Sequence, residues 1–445
     1  MQGSGIYPAQ NWFVRSKVLS KAELPLAGVE GGFDLRFNLA GLVVFSVGLI
    51  FASGALVFAL MRSFNHGPGE TLSVVVANSG TTRDAAPAVT PVWGELVTSD
   101  VQLENPEEYL ATDFDTSQPT RWVFEGMPLE KVRAQLTDSG LTARQIERAL
   151  APTAVTTSLT NTILRPDPEL VLSLSAAARG KLYGFLARTP ANIYMYFPTC
   201  FPANSFEAVL HESKVAPETI ALIKPLLYQR GTTQYFSDYE VVMQRVAATD
   251  QRRLLLKALS RQPAVLARLR IRPTTDVEKV LGYWTAAPGV HLKDLRPLLE
   301  SLQRLPEGGS VSLMYLLPPF ARERLYTFPL PPKAGDPAMD CHWSSLNFFN
   351  EQPDDRLGNP SYAGAVLTKN YYPVQTPHAY GDVIVIVDEK NNGLHSAVYI
   401  ADNIVFTKNG NSHQQPWMLM RLDNLLATYS VKGNVRAIVY RQKSS

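Results

Sequence analysis

Apolar and polar positions alternate along this chain in three distinct ways. From Leu39 to Met61, "LAGLVVFSVGLIFASGALVFALM", apolar and small residues run for 23 positions without a charge. About 20 such residues suffice to cross the hydrocarbon core of a bilayer, so this stretch predicts a transmembrane helix. A cleaved signal peptide would carry a shorter apolar region, about 7 to 15 residues, nearer the N-terminus; an uncleaved anchor is the expectation. Gly48/Ala52 and Ala55/Ala59 have the small-xxx-small spacing that lets two helices approach closely, but such pairs arise readily in Gly/Ala-rich spans.

The second regime has helical spacing. In "MPLEKVRAQLTDSGLTARQIERAL", Pro128 suits a first turn, Leu129, Val132 and Leu136 share a face, Gly140 breaks the pattern, and Thr142 can cap a second helix carrying Ile146 and Leu150. Residues 173–187, 216–231, 238–260 and 291–305 continue in this manner without a fixed repeat. The third regime is the last third of the chain. Here a short helix at Cys341 precedes two apolar strands around the turn-rich "DEKNNG", a third strand after "ADN", and a closing strand, "NVRAIVYRQ". A helix on an antiparallel meander is an α+β unit.

The expected organisation is therefore an N-terminal segment over 1–38, the anchor over 39–61, and a linker over 62–118 that contains the flexible "ANSGTTRDAAPAVTP". A mainly α-helical region over 119–310 and an α+β domain over 311–445 complete it. Residues 93–115 show no clear period and carry no assignment.

Charge changes this picture in two places. Arg15, Lys17, Lys21 and Arg36 precede the apolar run, whereas Arg62 is the only Lys or Arg between 62 and 81, so the positive-inside rule keeps the N-terminus cytoplasmic and the bulk of the chain outside. Between Gln251 and Thr275 stand seven basic residues and no acid: Arg252, Arg253, Lys257, Arg261, Arg268, Arg270 and Arg272. They read as a solvated helix face, or as a patch for anionic headgroups or an anionic envelope polymer. Forty-two basic against forty acidic side chains leave a net charge of +2, so no global field draws nucleic acid, which the expected topology also places in the wrong compartment.

Candidate chemistry centres on "MDCHWSSLNFFN". Asp340 is a good N-cap, which puts Cys341 in a first turn where free backbone N–H groups stabilise an anion and lower a thiol pKa. The N–H groups of Cys341 and His342 suit an oxyanion hole. His395 opens a strand 54 residues later and could act as base; on the next strand Thr407 and Asn409 share a face and could fix its tautomer, while Lys408 points to the other. The chain has two cysteines, and outside the cytoplasm Cys200 and Cys341 could instead form a disulfide. His378 and His413 read as solvated loop residues. No metal-ligand spacing, phosphate loop or GxSxG elbow occurs, and neither a metal nor a cofactor is implied.

"DCHWSSLNFF", "GDVIVIV" and "HSAVYIADNIVFT", in that order and spacing, resemble the NlpC/P60 family of papain-like cysteine peptidases over about residues 339–426. The resemblance implies Cys341 as nucleophile, His395 as base and Thr407 at the third position, where the family more often has His, Asn or Gln. It also departs from the family, since His342 and Trp343 follow the cysteine where a small Ser or Gly is usual. What it implies is a papain-like domain on a single-pass anchor in the bacterial inner membrane, cleaving an amide of peptidoglycan stem peptides through a thioester. The alternatives are a non-catalytic envelope adaptor that keeps the fold as a binding module, and a transglutaminase-like acyltransferase.

Overall fold

A computed structural model describes residues 91–110, 118–158, 161–201, 205–211, 213–230, 233–286, 291–333, 335–375, 378–430 and 434–443, all within one compact unit. In chain order its strands are β1 (Glu95–Leu103), β2 (Trp122–Glu125), β3 (Val155–Thr157), β4 (Asn161–Leu164), β5 (Thr199–Phe201), β6 (Tyr228–Arg230), β7 (Thr233–Phe236), β8 (Gln262–Ile271), β9 (Gly309–Ser312), β10 (Tyr371–Val374), β11 (Val383–Asp388), β12 (Gly393–Ala401), β13 (Ile404–Lys408), β14 (Trp417–Arg421) and β15 (Val435–Gln442). They form three small antiparallel sheets, β1-β8-β9, β2-β4-β3 and β5-β7-β6, and a six-stranded sheet in the order β10-β15-β11-β12-β13-β14. The fold is mixed α/β.

This corrects the expected fold class. The stretch 39–61 and the N-terminal segment lie outside the described residues, and among the described residues no helix is long and apolar enough to cross a membrane. The longest, Leu292–Gln303, has 12 residues and carries Lys293, Asp294, Arg296 and Glu300. At about 1.5 Å per residue it reaches only about 18 Å, against a hydrocarbon core of about 30 Å. The single-pass architecture and the inner-membrane placement drawn from it are therefore set aside.

The middle region is rich in helix but also holds strands that the helical spacing did not predict. Residues 216–231 form a helix only over Pro217–Ile223 before turning into β6, and 238–260 divides into Tyr239–Arg245 and Thr249–Leu259. The basic run from 262 to 271 is strand β8, paired along its length with β1 in the region that showed no period. Along β8, Val265, Ala267, Leu269 and Ile271 are buried while Leu266 and Arg268 are exposed, the alternation of a strand with one face on a core. The acids facing the basic run come from β1 and the turns after it. Arg272 pairs with Glu95 at 2.6 Å, Lys257 with Glu104 at 3.2 Å, Arg261 with Glu104, and Arg253 with Glu107. Four of the seven basic residues thus pair with three acids of the same molecule.

The core does not divide near residue 310. One cluster joins Val265, Leu269, Trp284, Leu299 and Phe320 to Trp343, Phe348, Val398, Phe406 and Trp417, so the β1-β8-β9 sheet and the C-terminal sheet share a single interior. A second layer lies on the opposite face of the large sheet, where Ile384, Ile386, Ala397, Tyr399 and Val405 meet Leu425 of the helix Leu422–Tyr429. The two faces alternate along β12 and β13, and this decides which side chains meet Cys341.

Candidate active site around Cys341

Cys341 begins the helix Cys341–Leu346, capped by Asp340, whose carboxylate accepts from the Trp343 amide at 2.8 Å. The helix is pinned to the sheet from both sides of its turn. Ser344 Oγ donates to the Asp340 carbonyl at 2.7 Å and accepts from the Trp417 indole of β14 at 2.8 Å, while Trp343 packs against Phe320 with ring centres 5.2 Å apart. Loss of such a cap costs about 1 kcal/mol, and here it would also release the cysteine's turn.

Cys341 and Cys200 are both free thiols, so no disulfide joins them. Cys341 is only 6% exposed. Burial, followed by the adjacent Asp340 charge, pushes its pKa up to about 12; the amide and hydroxyl of Ser396 and the charge of Lys408 oppose this incompletely. The expected lowering is thus reversed. A six-residue helix has few aligned peptide dipoles, and desolvation outweighs them.

His395 is fully buried on β12. Its Nε2 lies 2.7 Å from Thr407 Oγ1, and its ring stacks on Tyr429 with centres 4.4 Å apart. Its Nδ1 has no hydrogen-bond partner, so the structure does not bond His395 to Cys341. The strand explains this. His395 shares the face of Ala397 and Tyr399, against the Leu422–Tyr429 helix, whereas its neighbour Ser396 points to the Cys341–Leu346 helix. This is the second way in which the structure departs from the papain-like expectation, which needs the histidine on the cysteine's side of the sheet. Burial, with the charges of His342 and Lys408 added, holds the His395 pKa well below the usual imidazole range, so the ring is neutral. Tyr429 lies within electrostatic reach of Cys341 and Asp340, which sets the thiol near the boundary between the two faces.

Asn409 does not reach His395. Its amide nitrogen lies 3.9 Å from Met420 Sδ and its buried oxygen has no partner, which leaves Thr407 as the group on the imidazole. His378 packs against the Tyr399 ring with centres 5.0 Å apart, and His413 against Tyr109 at 4.9 Å, so both histidines expected to be solvated are in ring contacts. Asp382 of the "GD" pair is locked by Arg441, with two contacts of 2.8 Å, and serves the sheet rather than the site.

Two features were missed at the level of sequence. Lys408 is completely buried; its Nζ donates to the carbonyls of Gly410 and Ser412 at 2.8 and 2.9 Å, and burial pulls its pKa down to about 7 against the pull of Asp340 and Cys341. A lysine flanked by "VFT" and "NG" gave the sign of its face but not its burial. The other is the row formed by His342 Nδ1, Ser396 Oγ and Ser345 Oγ, with successive separations of 3.0 and 2.8 Å. It floors a cleft beside the Pro360–Asn370 helix. Among the described residues no group of His, Cys, Asp and Glu could hold a metal ion.

No family model, no curated protein and no solved structure matches the chain.

Proposed function

We propose that this chain is a cysteine-dependent hydrolase that cleaves an amide bond through a thioester on Cys341. The observation that carries this reading is the convergence on one free thiol of the Ser396 amide and hydroxyl, both of which favour the thiolate, on a turn held in place by the Asp340 cap. Sulfur attacks the carbonyl carbon, the C–S bond forms as the C–N bond breaks, and water then releases the acid. The buried thiol keeps its proton until attack, and that proton ends on the leaving amine nitrogen. The substrate class, peptidoglycan stem peptide, comes from the motif resemblance and not from the geometry.

The burial of Cys341 and its raised pKa favour a second reading, a non-catalytic binding module. The two separate on turnover. Purified protein incubated with peptidoglycan fragments and peptide amides should release products detectable by mass spectrometry, and Cys341→Ala should abolish release with the melting temperature unchanged. No release by either supports the binding module, and equal release by wild type and Cys341→Ala removes Cys341 as the nucleophile.

A further inference from the structure

A thiol with a pKa near 12 needs a base, and two imidazoles stand near it. His395 has an open Nδ1, but it is fully buried, lies on the face turned to Tyr429 and makes no bond to the sulfur. His342 is the residue next to the cysteine and is only half-buried. Its Nδ1 lies 3.0 Å from Ser396 Oγ, and Ser345 Oγ, 2.8 Å from the same oxygen, fixes that hydroxyl from the other side. Ser396 and Ser345 are 2% and 3% exposed, so this row is built into the interior at the floor of the cleft, with His342 its least buried member.

We infer that His342, acting through Ser396, receives the proton of the Cys341 thiol. Ser396 Oγ accepts the proton from sulfur as its own hydroxyl proton passes to His342 Nδ1, so the serine ends unchanged and one proton has moved from Sγ to the imidazole. When the C–N bond breaks, the same path returns a proton to the leaving amine nitrogen. The fully buried His395 is held neutral by its surroundings, whereas His342 is half-buried beside the cleft. On this account His342 is a positioning and proton-accepting residue that acts through Ser396, and His395 with Thr407 and Tyr429 is part of the packing under the sheet. The inference rests on the reading of Cys341 as nucleophile.

The test is the pH dependence of alkylation by iodoacetamide in the full chain, read at the Cys341 peptide by mass spectrometry. The charged and titratable groups within reach of the thiol are Asp340 on its own turn, Lys408 from β13 and Tyr429 from the helix below. His342→Ala and Ser396→Ala should each slow alkylation at neutral pH by at least about tenfold and move the inflection to higher pH, within the range a positioned base supplies. His342→Gln, which keeps size and a polar contact to Ser396 but takes no proton, should behave like His342→Ala. His395→Ala should keep the wild-type inflection. Normal alkylation of His342→Gln, or a loss in His395→Ala as large as that in His342→Ala, overturns the relay and leaves the nucleophile reading intact. If Cys341 is alkylated in the unfolded chain but in no native form, both fall together.

Discussion

Lys408 puts the largest electrostatic demand on the site, because the chain buries its ammonium completely and offers two carbonyl oxygens rather than a bonded carboxylate. Its folded pKa of about 7 lies below the unfolded value of 10.5. Between those values the unfolded chain holds a proton that the folded chain lacks, so stability rises with pH across the window. The clean part is pH 7 to 9, since above it Cys341, whose folded pKa is raised, acts with the opposite sign. Denaturant unfolding should therefore show stability increasing by at most about 1.4 kcal/mol per pH unit between pH 7 and 9. Lys408→Met should flatten that slope; an identical slope in the variant would remove Lys408 as its cause. At this scale the sequence was readable where alternation applied: Thr407 and Lys408 do take opposite faces. It was silent on Ser396, because a serine inside "HSAVYI" carries no signal of which helix it will meet.

At the scale of elements, the arginines at 268, 270 and 272 alternate with Leu269 and Ile271, a period of two that marks a strand, whereas counting charges alone suggested a helix face. The partner strand β1 was unreadable because its own burial is mixed; its pairing with β8 is set by tertiary contact. The turn into β9 offers a sharp test of this sheet. Gly308 has φ +67°, and a Cβ there would fall 2.0 Å from the Ile271 carbonyl oxygen. Gly308→Ala should cost at least about 1 to 2 kcal/mol from the left-handed backbone alone. Gly282, inside the helix Val277–Trp284 with open space at its Cβ position, should instead tolerate alanine or gain about 0.5 to 1 kcal/mol. Equal melting temperatures for the two variants would contradict the close approach of the turn before β9 to the end of β8.

For the whole molecule, the helix at Cys341 and strands β11, β12, β13 and β15 were legible from short apolar runs and turn residues, while β10, β14, the helices Pro360–Asn370 and Leu422–Tyr429, and the middle-region strands, three to four residues long except for β8, were not. The boundary expected near 310 fails for a related reason: a shared core leaves no polar linker to read, and Trp284 and Trp417 lie in one cluster. Cys341 is buried next to Trp343, which belongs to that shared interior. The central claim is that this buried thiol becomes an acyl carrier. The direct measurement is intact and peptide-level mass spectrometry after incubation of the full chain with p-nitrophenyl acetate. The account predicts one acetyl group on Cys341, absent in Cys341→Ala and lost again with time as water hydrolyses the thioester. Acetylation confined to lysines in the native protein, with Cys341 acetylated only after unfolding, would contradict it.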